Sequence, residues 1–323
     1  MAYAVETESL RKRYGELVAV DGLNLTIKEG EIFGLLGPNG AGKTTTLSML
    51  ATLLKPTSGT ARVNGYDVIE QSADVRRSIG IVFQDPSSDD ILTGRENLYL
   101  HALMFGVPKH ERAQRIQRVL NLVDLHDRAD HLVKKYSGGM RRRLELGRGL
   151  LHNPKILFLD EPTLGLDPQT REHIWEYVEN LVKTEKVTVI ITTHYMDEAD
   201  RLCNRVAIID HGNIVALDTP SALKSKVGGE VVKLRIKSPR LDQVRNLDYV
   251  LSVSQSGSTL LLTVKNASAH LQEILSMVGE VASVEVRSPT LNDVFLDYTG
   301  REIREDSGEG GAFERIARAR SGH

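Results

Sequence analysis

Nine consecutive residues, Gly37-Pro38-Asn39-Gly40-Ala41-Gly42-Lys43-Thr44-Thr45, hold the densest chemistry in this chain of 323 residues. The glycines let successive backbone N–H groups turn toward one point, which suits a β-phosphate. Lys43 supplies positive charge for β- and γ-oxygens, and the Thr44 hydroxyl suits a magnesium ion. A glycine-rich turn that binds nothing shares this composition but not the setting. Here Glu31 to Leu36 reads as a buried strand leading in, and Leu47, Met49 and Leu50 carry a helical stripe leading out. Alone, the loop specifies a nucleotide phosphate and no more.

Two further groups narrow the chemistry. Ile156 to Leu159 reads as a strand that ends in Asp160 and Glu161. Asp160 is suited to hold a metal, directly or through water, and Glu161 to polarise an attacking water. Neighbouring strand residues face opposite ways, so both reach one site only if the chain turns there, and Pro162 is expected to help it turn. Without the phosphate loop, two solvated acids at a strand end would be the better reading. The second group is Ser137-Gly138-Gly139, framed by Tyr136 and Met140, opening a helix whose N-terminus attracts anions. Two γ-phosphate sites in one chain make sense if two chains share each nucleotide. Basic runs on helices are usually solvated, and Arg141-Arg142-Arg143 is expected to be such a face.

The elements that must carry these groups can be read from periodicity. Leu17 to Val20 and Leu23 to Ile27 alternate as half-buried strands joined through Asp21-Gly22, and Glu29-Gly30 makes a turn. Short strands follow around Thr60 to Val68 and at Ile79 to Phe83. From Thr93 the pattern becomes amphipathic helix, as in Arg115 to Val123, and predicts a helical subdomain over about residues 93–150. The α/β pattern resumes with a helix from about Gln169 to Lys183, a strand at Val187 to Ile191, and a hairpin of Val206 to Ile209 with Ile214 to Leu217.

Thr219-Pro220-Ser221 marks a change of unit. Beyond it the order is strand (Val231 to Ile236), helix (Arg240 to Leu247), strand (Tyr249 to Val253), strand (Thr259 to Val264), helix (Ala269 to Val278) and strand (Glu280 to Val286), a split-βαβ, ferredoxin-like sequence. A last helix, Leu291 to Tyr298, has Thr290 as N-cap and Asp293 three positions on. From Gly300 the composition predicts a mobile tail. The expected domains are thus 1–222, 223–300 and a tail of 301–323.

Composition excludes several classes. A net charge of −2 gives no global attraction to nucleic acid or an anionic membrane. The single cysteine, Cys203, rules out an intrachain disulfide and reads as a small buried filler. No apolar run approaches the roughly 18 residues of a spanning helix, and the first residues lack a secretory pattern, so a cytoplasmic chain that meets a membrane only through a partner is expected.

Taken together, these residues resemble the nucleotide-binding subunits of ABC transporters. The resemblance covers about residues 5–220 and rests on the phosphate loop, Gln84 after a strand, Ser137-Gly138-Gly139, Asp160-Glu161, Gly165-Leu166-Asp167-Pro168 and His194, all in the family's order. It implies a P-loop NTPase of α/β class with an ABC-type ATPase core, an N-terminal antiparallel β-subdomain and an inserted helical subdomain. It also implies ATP and Mg²⁺ as cofactors. Tyr14 would stack on adenine, and Gln84 would sense metal and water beside Thr44 and Asp160. His194 would contact the γ-phosphate, and Asp167 would join the two opposed sites with Ser137, Gly138 and Gly139. Two positions depart from the family, Tyr136 where leucine is usual and Met140 where glutamine is usual. Activity is expected to survive both, although Met140 lacks glutamine's hydrogen bonds.

The resemblance further implies a head-to-tail pair of copies driving a separate transmembrane permease, with the chain peripheral on the inner face of the membrane. Val286 to Gly300 is similar to the segment that closes the C-terminal domain of the daunorubicin-resistance branch, which implies export of drugs, lipids or polysaccharide. The competing readings are a soluble ATPase of the same fold, working on ribosomes or DNA, and a regulatory module in which residues 225–300 bind a small ligand.

Overall fold

The computed structural model describes residues 3–236, 244, 247–279 and 281–300. Within them, contacts divide the chain into two units, one ending at Leu217 and one beginning at Asp218.

The first unit opens with two long strands, β1 (Tyr3–Tyr14) and β2 (Leu17–Lys28), paired antiparallel. Residues 17–27 are one continuous strand rather than two. The pairing slips between Leu10↔Leu23 and Lys12↔Val20, so Asp21 and Gly22, at φ 65°, form a bulge that bends the strand without ending it. With β4 (Ser58–Val63) and β5 (Tyr66–Asp67) these make a four-stranded antiparallel sheet ordered β2-β1-β4-β5.

The nucleotide-core sheet has the order β10-β9-β3-β8-β7-β6. Its strands are β3 (Ile32–Leu36), β6 (Ile79–Val82), β7 (Ile156–Asp160), β8 (Thr188–Thr193), β9 (Arg205–Asp210) and β10 (Asn213–Asp218). From β9 to β6 every pairing is parallel. β3, β7 and β8 are buried along their whole length, as strands covered on both faces must be, so they read as unbroken apolar runs. Around them lie α1 (Lys43–Leu50), α2 (Ser72–Ser78), α6 (Pro168–Glu185) and α7 (Met196–Leu202). Cys203 fills the space above Gly34, where a Cβ would stand 2.7 Å from its sulfur.

Between β6 and β7 the chain forms α3 (Gly94–Met104), α4 (Lys109–Leu122) and α5 (Gly138–Leu150) around a separate apolar core that includes Leu98, Leu120, Val133, Tyr136 and Leu144. Thr93 and Glu96 cap α3 reciprocally, which fixes where the inserted helices begin. Tyr136 belongs to this core, its hydroxyl donating to the Arg128 carbonyl at 2.7 Å.

The second unit begins with α8 (Pro220–Val227), capped by Thr219 and ended by the left-handed Gly228. Its sheet contains β11 (Glu230–Ile236), β12 (Val250–Ser256), β13 (Thr259–Val264) and β14 (Val281–Arg287) in the order β12-β13-β11-β14, all antiparallel. That is the strand order of a split-βαβ sheet, and helix Ala267–Val278 packs into its core. The helix expected at Arg240 to Leu247 lies almost entirely outside the described residues, as does the tail beyond Gly300. Helix Leu291–Thr299 packs on α8, and its capping box joins Thr290 with Asp293.

Candidate active site

The phosphate loop is held from three sides. Ala41's carbonyl accepts from the Gly212 amide at 2.9 Å, and the Gly37 amide donates to the Thr193 carbonyl at 3.3 Å. Gly42, at φ 107°, faces β2 so closely that a Cβ would stand 2.5 Å from the Ala19 carbonyl oxygen. A Cβ on Gly37 would stand 2.2 Å from the Ile209 carbonyl. Glycine is therefore required at both positions for space, and at Gly42 for conformation as well.

Lys43, at the first turn of α1, is 4% exposed and donates to the Gly37 and Pro38 carbonyls at 2.7 and 3.1 Å. Burial lowers its pKa, and the carboxylates of Glu161 and Asp160 oppose that shift. Thr44 donates to Asp160 Oδ1 at 3.1 Å, and Thr192 of β8 donates to the same oxygen. Burial raises the Asp160 pKa, with the two hydroxyl bonds acting against it. A hydroxyl and a carboxylate side by side at the phosphate loop fit a magnesium ion that keeps phosphate and water oxygens as its remaining ligands. Among the described residues, no group of three or more His, Cys, Asp or Glu could hold a metal by itself.

Asp160 and Glu161 do reach one site, by a sharper device than a following proline. Glu161 itself takes a left-handed conformation, φ 46°, and its amide donates to the Thr192 carbonyl and hydroxyl at 3.1 and 3.0 Å. A non-glycine residue in that region costs about 1–3 kcal/mol and persists only where its surroundings enforce it. The turn carries the Glu161 carboxylate to 3.2 Å from His194 Nδ1 and 3.5 Å from Lys43 Nζ. Burial pushes the Glu161 pKa up, but the His194 hydrogen bond and the Lys43 charge outweigh it and leave the group below the usual range. A carboxylate kept ionised beside an amine and an imidazole can accept a proton from water or orient it.

His194 is itself braced. Its ring packs 4.2 Å from that of Tyr195, over which the Arg171 guanidinium sits at 4.2 Å. Arg171 Nε in turn donates to the Leu166 carbonyl at 3.1 Å, tying the histidine to the segment before Asp167.

Ser137, Gly138, Gly139 and Asp167 form a second group. Ser137 caps α5, accepting from the Met140 amide, and Asp167 caps α6, accepting from the Thr170 amide and hydroxyl at 3.0 and 2.6 Å. Gly139 packs on Thr170, whose methyl would lie 2.7 Å from an added Cβ, whereas a Cβ on Gly138 would meet nothing within 4 Å. Gln84 follows β6, next to the strand that carries Asp160. Tyr14 ends β1 at the hairpin, with the Lys12 ammonium 5.1 Å from its ring centre.

One expectation is overturned. Arg142 is not part of a solvated face, being only 6% exposed. Its guanidinium donates to the carbonyls of Pro162 at 2.6 Å, Asp160 at 3.1 Å, Glu161 at 3.0 Å and Gln84 at 3.4 Å, and also to that of Phe83. Burial lowers its pKa to about 10, so it stays charged at neutral pH. The signal was periodicity: Arg142, Glu145, Leu146 and Gly149 are spaced three and four apart on the inward stripe of α5. Glu145 was missed as well, and it accepts from the Ser87 and Ser88 amides at 3.2 and 2.7 Å. The hydroxyl of Thr192 had no sequence signal, because its partner Asp160 is 32 residues away.

Comparison with known proteins shows the family of the chain and the kinship of its fold. Residues 20–164 match the ABC transporter family model, and residues 219–299 match the C-terminal domain of DrrA1-3-like ATP-binding proteins. The daunorubicin resistance ATP-binding protein DrrA2 of Streptomyces coeruleorubidus is 42% identical over 92% of this chain and 95% of its own. The Nod factor export ATP-binding protein I of Cupriavidus metallidurans is 40% identical over 94% of this chain and 100% of its own. Among solved structures, a dimeric post-hydrolysis state of the ATP-binding cassette MJ0796 bound to ADP and Pi is 30% identical. It has a TM-score of 0.60 and covers 67% of this chain and 98% of that one.

Proposed function

This chain belongs to the ABC transporter ATP-binding family, as an ATPase of the drug-resistance and exporter type, and from that premise we propose that two copies act head to tail to drive export through a separate permease. The observation that carries the reading is the separation of two groups in one chain. Lys43, Thr44, Asp160, Glu161 and His194 are knit together by direct contacts. At the N-terminus of α5, Ser137 and Gly138 are exposed, and the hydrogen bonds described for Ser137 stay within its own helix rather than reaching that cluster. Each ATP is then held between the phosphate loop of one copy and Ser137 to Gly139 of the other, with Tyr14 against adenine and Asp167 between the two sites.

In each site Lys43 neutralises phosphate charge, and Glu161, fixed by His194, orients the attacking water from the side opposite the leaving group. A magnesium ion on Thr44 and Asp160, close to Gln84, would supply charge stabilisation at the phosphates. The relatives' names, which speak of resistance to daunorubicin and export of Nod factor, support export as the direction.

The permease reading is supported by an apolar face on α3, where Tyr99, Leu100, Leu103 and Met104 stand exposed at successive turns, with Ile91 nearby in sequence. Asn97 of the same helix accepts from the Asp89 amide, so this face is linked to the loop after Gln84. Among the described residues no helix is long and apolar enough to cross a membrane, so a peripheral position on the permease fits.

The test is size-exclusion chromatography of Glu161→Gln with ATP and Mg²⁺. A stable dimer is expected with ATP and a monomer with ADP. A monomer under both conditions would defeat the head-to-tail reading.

A further inference from the structure

Arg142 is unusual for a buried cation in that its direct partners are main-chain oxygens rather than a carboxylate. Three come from consecutive residues, Asp160, Glu161 and Pro162, and two from Phe83 and Gln84. A left-handed residue at a strand end turns its own and its neighbours' carbonyls toward one side, and buried carbonyls without donors are costly. The guanidinium fork fills that role with fixed geometry, which a flexible ammonium does not. The conformation that brings Glu161 to His194 is therefore held from behind by Arg142.

The same helix also grips the loop after Gln84 from its other end. Glu145, one turn along α5 and 4% exposed, accepts from the Ser87 and Ser88 amides, and Arg148 donates to both Glu145 and Ser87. Arg142 thus takes the carbonyls before the loop and Glu145 the amides within it. Both sit on a rigid helix whose first turn is Gly138-Gly139-Met140.

We propose that Arg142 is a positioning residue that makes Glu161 and Gln84 answer to the Ser137 end of α5. A shift of the α5 N-terminus is carried along the helix to the carbonyls of residues 83–84 and 160–162, so the approach of Glu161 to its water depends on where Ser137 sits. Under the head-to-tail reading on which this rests, engagement of Ser137 by the partner's nucleotide readies the carboxylate of the same chain. Arg142 then links one ATP site to the other without touching nucleotide.

The experiment compares wild type, Arg142→Lys and Arg142→Met by steady-state phosphate release, affinity for a fluorescent ATP analogue, and Tm. Misplacement of a reacting group by about 1 Å costs roughly 100-fold, so kcat of Arg142→Met is expected to fall between about 10- and 100-fold. Nucleotide affinity should stay within about 2-fold, because Lys43 and the loop are untouched. Arg142→Lys keeps the charge but reaches fewer of the carbonyls, and its kcat should fall in between. Unchanged kcat in Arg142→Met overturns the proposal. So does a loss of kcat accompanied by an equal loss of nucleotide affinity and Tm in both variants, which marks a merely structural role. Sizing Glu161→Gln with ATP separately decides the dimer. If no dimer forms, the head-to-tail reading fails, while the kcat comparison still judges the hold of Arg142 on Glu161.

Discussion

His194 Nδ1 stands 3.2 Å from Glu161 Oε1, and the same oxygen stands 3.5 Å from Lys43 Nζ. One carboxylate oxygen is thus shared between an imidazole and an ammonium. Removing the charge of Glu161 leaves phosphate binding by Lys43 in place. Glu161→Gln is therefore expected to lower ATP turnover about 10²- to 10⁴-fold. Nucleotide affinity should change little. His194→Ala frees the carboxylate without removing it, so phosphate-release assays should show a smaller loss. A variant Glu161→Gln that hydrolyses ATP at the wild-type rate would remove Glu161 from the mechanism.

Glycines in the loop before α1 and at the start of α5 should fail in different ways. Gly42 is left-handed and pressed on the Ala19 carbonyl, so Gly42→Ala distorts the loop and abolishes nucleotide binding by the single chain. Gly138 has an unstrained backbone and open space where a Cβ would go. Gly138→Ala should keep the wild-type Tm to within the effect of about 0.5 kcal/mol expected for an exposed change, and should bind nucleotide normally. Its hydrolysis should nevertheless collapse if a partner's phosphate must approach that backbone. Normal hydrolysis in Gly138→Ala would argue that α5 meets no nucleotide.

Much of this site was legible in sequence because its parts are local. The phosphate loop, the carboxylate pair and Ser137 to Gly139 each declare themselves within a few residues, and the structure brings Lys43, Thr44, Asp160, Glu161 and His194 into direct contact. The C-terminal strands were legible for the same reason, each being a short alternating run. What was not legible depends on long-range pairing or on a single dihedral angle. The Glu161 turn is one φ value, for which glutamate gives no cue. Arg142 looked like one of three equivalent arginines, and only the stripe it shares with Glu145 and Gly149 sets it apart. The bulge at Asp21-Gly22 mimics a hairpin turn because its residues are the same. Only the register against β1 shows that the strand continues.

Glu198, in the helix behind His194, is fully buried and accepts from Thr163 Oγ1 at 2.7 Å and Trp175 Nε1 at 3.0 Å. Burial raises its pKa above the ordinary 4.5, against the hydrogen bonds from Thr193, Thr163 and Trp175. The sign follows from linkage. An acid whose folded pKa is raised contributes fully below its unfolded pKa, and that contribution is lost as pH rises toward the folded value. Glu198→Gln does not titrate, so it should gain in Tm relative to wild type as pH rises above about 4.5. Thermal melts of both proteins from pH 4 to 8 test this. A Tm difference that stays flat across the range would show that Glu198 ionises equally in both states.

The apolar face of α3 is the remaining point at which the export reading can be tested without knowing the cargo. Leu98 and Ala102 bury the opposite side of this helix, so the exposed positions carry little of the fold. Leu100 and Met104 are 47% and 72% exposed, one turn apart. A charge at either position desolvates poorly, and at the centre of an interface it typically costs about 2 kcal/mol or more of binding. Leu100→Glu and Met104→Glu should therefore leave the Tm and the ATPase rate of the isolated chain unchanged. They should also abolish its recovery on membranes that contain the cognate permease. The comparison needs permease-free membranes as the baseline, since retention there would come from lipid rather than from a docking partner. Retention of both variants at the wild-type level on permease-bearing membranes would place the docking surface elsewhere.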